Sequence, residues 1–336
     1  MALYKSKQRV IEENISDTLA RDYGSLSEAE LFTFAEQDEA AAEYTAVSGY
    51  SYWKSTLRIF FKNRVACFFF AVIIFVLLFT LIQAVSSRVP STTIHNDPET
   101  GIQIRNHQPD ARFRFGTNSI GQDLWALTWH GTRTSLFIGL SVACVDALLG
   151  VIIGVLWGYA RKLDLLFTEL YNIVDNVPQT LVLILVSYVL RPGIGTMILA
   201  MCVTSWLSTA RFVRNMVMII RDRDYNLASR CLGTPLGRII IKNLLPYLVS
   251  VITMRMAMAI PGAIGSEVFV SYIGLGLPLA TPSLGNLINS GIDKLLEPTL
   301  RYQLIFPTIV LSIVTISFYI VGNAFADASD PRNHVV

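Results

Sequence analysis

The chain has 336 residues, 52% of them hydrophobic and only 15% charged, with a mean hydropathy of +0.49. That balance excludes an ordinary soluble domain and points to a protein that lives in lipid. A formal net charge of +2 without a single-sign field argues against a nucleic-acid partner, and the unpaired spacing of Cys67, Cys144, Cys202 and Cys231 against a disulfide frame or cysteine metal site.

Residues 1–48 carry ten acidic groups against four basic ones, and MALYKSKQRV runs into polar, acidic sequence and not into an apolar core, so a cleavable signal peptide is not expected. Leu31, Phe32 and Phe34 sit within this acidic setting. They suit a packing arm or helix, with disorder as the alternative. Lys54, Arg58, Lys62 and Arg64 then lead into the first apolar run.

Windows long enough to cross about 30 Å of hydrocarbon fall near 65–85, 135–159, 165–190, 194–218, 248–270 and 302–325. Six crossings in an all-α membrane protein are therefore expected. Arg161 and Lys162 fill the link after the second window; Arg211, Arg214, Arg221, Arg223, Arg230, Arg238 and Lys242 crowd the link after the fourth. The positive-inside rule makes both links cytoplasmic, and an even number of crossings then puts both termini inside. The resulting division is an N-terminal arm over 1–62, a first crossing over 63–86, an extracellular loop over 87–134, a five-helix core over 135–326 containing a loop at 219–247, and a tail over 327–336.

Trp125 and Trp129 fit one face of a short helix at the outer interface. Among the polar residues inside the windows, Asp146, Glu169, Asp175 and Arg255 either pair between helices or line a pathway. The segment 219–247 is unusual for a link. From Tyr225 to Leu232 it suits a short helix, Gly233 suits a helix-ending φ > 0 turn, and Pro235 suits the first turn of a second helix through Ile239 towards Leu245 and Pro246. Such a hairpin either lies on headgroups or fills a groove on a soluble partner. Leu227, Ala228, Leu232, Ile239 and Leu244 would supply its apolar surface, with Ala228 and Ser229 allowing close approach. Further on, Glu267 and Ser271 precede Gly274, Gly276 and Pro278, which break helix, so 271–291 is the candidate outer mouth of a pathway. His95, His107, His130 and His334 are dispersed, and none falls inside a window, which supports neither a metal site nor an embedded hydrolase.

Four stretches resemble one family. DYNLASRCLGTPLGRIIIKNLLP (224–246) is similar to the coupling loop of ATP-binding-cassette importer permeases. Leu227, Ala228 and Ser229 stand at the Glu-Ala-Ala positions, Gly233 is the glycine, and Leu245 and Pro246 close the motif; the glutamate is absent, and Asn243 replaces a frequent histidine. FRFGTNSIGQDLW (113–125), SEVFVSYIGLGLPLATPSLGNLINSG (266–291) and FPTIVLSIVTISFYIVGNAFADASDPR (306–332) resemble, in order, further segments of the peptide/nickel subfamily, and its second permease subunit in particular.

The resemblance implies the type I importer fold in a bacterial plasma membrane. It implies a homologous second permease, two ATPases that hold the ATP and Mg, an extracellular substrate-binding protein and a peptide cargo, with dipeptides or nickel as alternatives on the same scaffold. It assigns Tyr225, Leu227, Ala228, Ser229, Leu232, Gly233, Ile239, Leu245 and Pro246 to ATPase coupling. Asp175, Arg255, Glu267, Ser271, Gly274 and Gly276 become pathway or gate candidates, with structural fixing of the following Gly-Leu-Gly turn as the favoured reading of Glu267. This chain has no phosphate-binding loop of its own, so it is expected to be neither an enzyme nor a cofactor carrier. The rival from another class, an ion-coupled secondary transporter, predicts an internal inverted repeat that the sequence lacks.

Overall fold

The computed structural model describes residues 52–86 and 90–329. The acidic arm 1–48, with Leu31, Phe32 and Phe34, and the closing Asp330, Pro331, Arg332 and His334 lie outside the described residues. Within them the chain is helical, and its extended pairings are the isolated bridges Ile94–Gln122, Asn96–Gln103 and Thr117–Asp123.

Helix α1 (Tyr52–Lys62) is amphipathic and gives way at Asn63 to α2 (Arg64–Ser86). The Asn63 Oδ1 accepts from the amides of Val65 (3.1 Å) and Ala66 (3.2 Å), satisfying two of the donors that a new helix leaves open. Phe60 of α1 is buried against Phe325, 6.1 Å between centroids, while Arg58 and Lys62 face out. Helix α2 is apolar all round and leaves Phe68, Phe75 and Leu81 exposed, as a lipid-facing helix does.

Helix α3 (Leu124–Tyr159) runs for 36 residues. It starts at Leu124 and not at 135, because Asp123 caps it by accepting from the Trp125 amide at 3.0 Å and nothing downstream breaks it. Trp125 and Trp129 therefore belong to the first turns of a long helix and not to a short separate one; Trp129 is buried, and His130 lies within the same helix. The third window is broken: α4 (Arg161–Asp175) and α5 (Gln179–Val189) meet at 74°. Pro178 disfavours helical geometry at Val177, which no count of apolar residues records.

Helices α6 (Ile194–Thr204) and α7 (Trp206–Arg221) form one 28-residue stretch divided at Ser205. The hairpin follows as α8 (Asp224–Cys231), α9 (Leu236–Ile239) and a π-helical turn (Ile240–Leu244) that runs into α10 (Leu245–Tyr272). Helices α11 (Leu284–Ile292) and α12 (Tyr302–Ser329) complete the chain. Among the described residues, four helical stretches are long and apolar enough to cross a bilayer, or five if the bent α4–α5 pair counts as one. Helix α10 is 28 residues long but is not one of them.

The bundle is held by a seam of small residues between α3 and α7, the kind of close approach that substitutes for a hydrophobic drive in lipid. Gly150, Gly154 and Gly158, each four apart, face Thr209, Ala210, Val213 and Val217. A Cβ on Gly154 would sit 2.6 Å from the Ala210 carbonyl oxygen and 2.7 Å from Val213 Cβ, and a backbone carbonyl cannot step aside. Gly154→Val is therefore expected to cost about 1–3 kcal/mol by overpacking. The check is the melting temperature of the purified protein in detergent, expected to drop by several degrees; an unchanged value would rule out a tight seam.

Candidate functional site

The hairpin is built by local chemistry. At the end of α8, Thr234 N donates to Ser229 O (3.0 Å) and Gly233 N to Arg230 O (2.9 Å), the paired bonds of a Schellman turn. Gly233 occupies the required left-handed conformation at φ 76°. The hairpin is then bolted to the bundle by buried polar groups. Asn226, fully buried, donates to Ile220 O (2.8 Å) and accepts from Asn243 Nδ2 (2.9 Å) across the two limbs. Arg221 Nη1 donates to Gly158 O (2.7 Å), and Arg230 Nη2 donates to Arg221 O (3.0 Å) while its guanidinium lies over the Tyr159 ring.

This splits the coupling candidates into two sets. Tyr225, Leu227, Ala228, Leu232 and Gly233 are exposed, Leu232 to 86%. Ser229 is half-buried, its hydroxyl donating to Tyr225 O. Ile239, 1% exposed, and Leu244 turn inward onto Val155, Val213 and Val217, so they anchor the hairpin and do not add to its outer surface. Leu245 is half-buried; the side chain of Pro246 lies outside the described residues. The second limb is not a separate helix either. Its π turn flows into α10, and Pro246 falls in the first turn of that helix, where a missing N–H does least harm.

At the far end of α10 stands a second built site. Glu267 is 0% exposed and accepts three serine hydroxyls: Ser135 of α3 at 2.9 Å, Ser271 at 3.0 Å and Ser283 at 2.8 Å. Ser283 also caps α11 by accepting from Asn286 N (3.1 Å), and Ser135 accepts from Leu284 N (3.2 Å). Asn286 donates to the carbonyls of Pro278 and Thr281, each at 3.0 Å. The carboxylate thus ties α3, α10 and the 271–291 loop together. Gly285 is required by that approach, since a Cβ there would meet Glu267 Oε1 at 2.7 Å. Gly276 is packed on Ser271, while Gly274 (φ 79°) makes an exposed turn.

The 113–125 stretch is a clasp on α12. Tyr302 Oη donates to Thr117 O (2.8 Å), Gln303 Nε2 to Asn106 Oδ1 (2.9 Å), and the Phe115 and Phe306 rings stack at 4.2 Å. Burial pushes the carboxyl of the capping Asp123 above its ordinary range. Backbone amides of Phe113 and Arg112 hold that of the exposed Asp110 below it.

Asp175 and Arg255 are not part of the Glu267 knot. Asp175 lines a cavity of about 400 Å³ together with Asp146; the Arg255 guanidinium instead stacks over Phe212, 4.4 Å from the centroid. Ser135 and Asn226 carry no functional signal in the sequence, and Arg221 stands there only as one of the basic residues of the link. Ser135 sits inside an apolar run 132 positions from Glu267, with no local signal to mark it.

Long apolar helices packed through a glycine seam, with a hydrogen-bonded hairpin at one end, define a polytopic helical membrane protein. The chain belongs to the family of binding-protein-dependent transport system inner membrane components, whose model matches residues 150–335. Residues 51–109 match the N-terminal transmembrane domain of oligopeptide transport permease C. The chain is 35% identical to the oligopeptide transport system permease protein AmiD of Streptococcus pneumoniae over 92% of its own length and 99% of that protein's. It is 34% identical to the dipeptide transport system permease protein DppC of Bacillus subtilis, over 90% and 93%. To the oligopeptide transport system permease protein OppC of Bacillus subtilis it is 32% identical, over 90% and 97%.

Proposed function

We propose that the chain is the permease subunit of an ATP-driven oligopeptide importer. It forms half of a translocation pathway in a bacterial plasma membrane, beside a homologous second permease. Two ATPases beneath it supply ATP and Mg chemistry that this chain does not perform, and a substrate-binding protein outside delivers the cargo. Six crossings, with both termini cytoplasmic, include α10, whose 28 residues span about 42 Å. The proposed division keeps 1–62 as an arm, 63–86 as the first crossing, 87–134 as the outer loop, whose end is the first turns of α3, 135–326 as the core and 327–336 as the tail.

The observation that carries the reading is the hairpin's surface. Tyr225, Leu227, Leu232 and Leu236 are exposed apolar side chains on a backbone fixed by buried hydrogen bonds, the shape of a knob for a groove. A dipeptide cargo is the second reading, because two relatives carry that name.

Burying one leucine contributes about 1.5–3 kcal/mol, so Leu232→Glu should cut recovery of the ATPases with the tagged permease by at least about tenfold. The comparison is made at equal membrane abundance. Undiminished co-purification would sink the docking role.

A further inference from the structure

The cavity beside Asp146 has a chemistry that the hairpin and the Glu267 knot leave unused. Its walls come from α3, the α4–α5 bend, the division at Ser205 and the middle of α10. Two charged side chains line it, Asp146 and Asp175, and both are acidic. Asp146 is only 6% exposed; Thr209 Oγ1 donates to its Oδ2 at 3.0 Å, and its Oδ1 has no partner. The hydroxyls of Thr204 and Ser205, also in the wall, are without partners too.

A buried carboxylate oxygen and two hydroxyls left unpaired are costly in low dielectric, and their common complement is a donor with positive charge. Asp175 is the last residue of the fifteen-residue α4, so the negative end of a helix dipole adds to the same field. On the α10 side the wall is made of small residues, and a Cβ placed on Gly262 would meet nothing within 4 Å, so there is room for more than a water. Arg255, on α10, is near enough to act on Asp146 through its charge, but its guanidinium stacks over Phe212 and does not line the space.

We propose that this cavity receives a cationic group of the cargo in transit, the α-ammonium at a peptide's N-terminus, with Asp146 as its counter-charge and the Thr204 and Ser205 hydroxyls as further acceptors. The inference rests on the peptide-importer reading and adds to it a rule of selectivity: the free amino terminus is read inside the membrane subunit.

The test uses the complete transporter in proteoliposomes with saturating binding protein. One labelled peptide is offered with a free or an acetylated N-terminus, chosen among peptides that the binding protein holds in both forms. Acetylation should lower uptake by the unaltered transporter at least tenfold. Asp146→Asn should lower uptake of the free peptide at least tenfold, and the two losses should not add. Asp164→Asn, which removes a carboxylate that pairs with Arg214 and does not line the cavity, should stay within threefold.

Smaller losses in Asp146→Asn, equal losses in Asp164→Asn, or unimpaired transport of the acetylated peptide each overturn the proposal. So does a sodium or potassium requirement that Asp146→Asn abolishes, which would give the site to an inorganic ion. Failure of the unaltered transporter to take up either peptide is a different result: it removes the importer reading underneath.

Discussion

Proline at position 233 is expected to abolish cargo uptake while the chain stays in the membrane at normal abundance. Gly233 sits at φ 76° and donates its amide to Arg230 O at 2.9 Å. Proline holds φ near −65° and has no amide hydrogen, so neither the left-handed turn nor the bond can form. The two limbs of the hairpin would then leave the turn in the wrong direction, and Leu232 would no longer be presented as it is. Gly233→Ala is the graded control. Nothing lies within 4 Å of a Cβ there, so alanine incurs only the left-handed strain of about 1–2 kcal/mol and should retain measurable uptake. The measurement is transport in proteoliposomes against membrane abundance by immunoblot. Normal transport by Gly233→Pro would refute the hairpin as the coupling element.

Removing the Glu267 carboxylate is expected to damage the fold severely. Glu267→Ala strips the acceptor from Ser135, Ser271 and Ser283 at once. Each buried group left unsatisfied costs about 1–3 kcal/mol, and the side chain's volume becomes a void besides. The purified protein should melt many degrees lower or fail to accumulate, with Glu267→Gln intermediate because its amide oxygen still accepts. A role in touching cargo predicts the opposite pattern: normal melting with lost uptake. Thermal unfolding and transport measured on the same preparation decide between the two.

How much of this was legible in the sequence follows from how local each feature is. The Gly233–Pro235 turn was readable because a Schellman ending depends on a few neighbouring residues. The apolar windows near 65–85, 135–159, 194–218 and 302–325 were readable for the same reason, each falling on a helix long enough to cross a bilayer, whereas the window over 165–190 concealed the bend at Pro178, since apolar averages do not register backbone geometry. The start of α3 falls outside its apolar window because polar residues such as His130 and Arg133 end the window, while the helix itself is set by the cap at Asp123. The Ile239–Ile241 run has no period, so the sequence alone leaves Ile239 on the hairpin's outer surface; only the position of α3 and α7 decides which of the three faces inward. Ser271, one helical turn on from Glu267, is a local partner, but Ser135 and Ser283 were beyond reach, since they meet the carboxylate only after the helices and the loop pack.

The continuity of the second limb with α10 has a geometric consequence. Glu267 fixes one end of this rod to α3 and the loop, and the hairpin extends from the other. From Leu245 to Glu267 the helical rise is about 33 Å. Because Arg221, Ile239 and Leu244 also hold the hairpin to α3 and α7, the three helices move as one body, and a tilt of that body by roughly 10° about the carboxylate knot sweeps the hairpin end through some 6 Å, about one helical turn. A small rotation is thus magnified into a stroke with the dimensions of a side-chain register, with no need for any helix to melt or re-form.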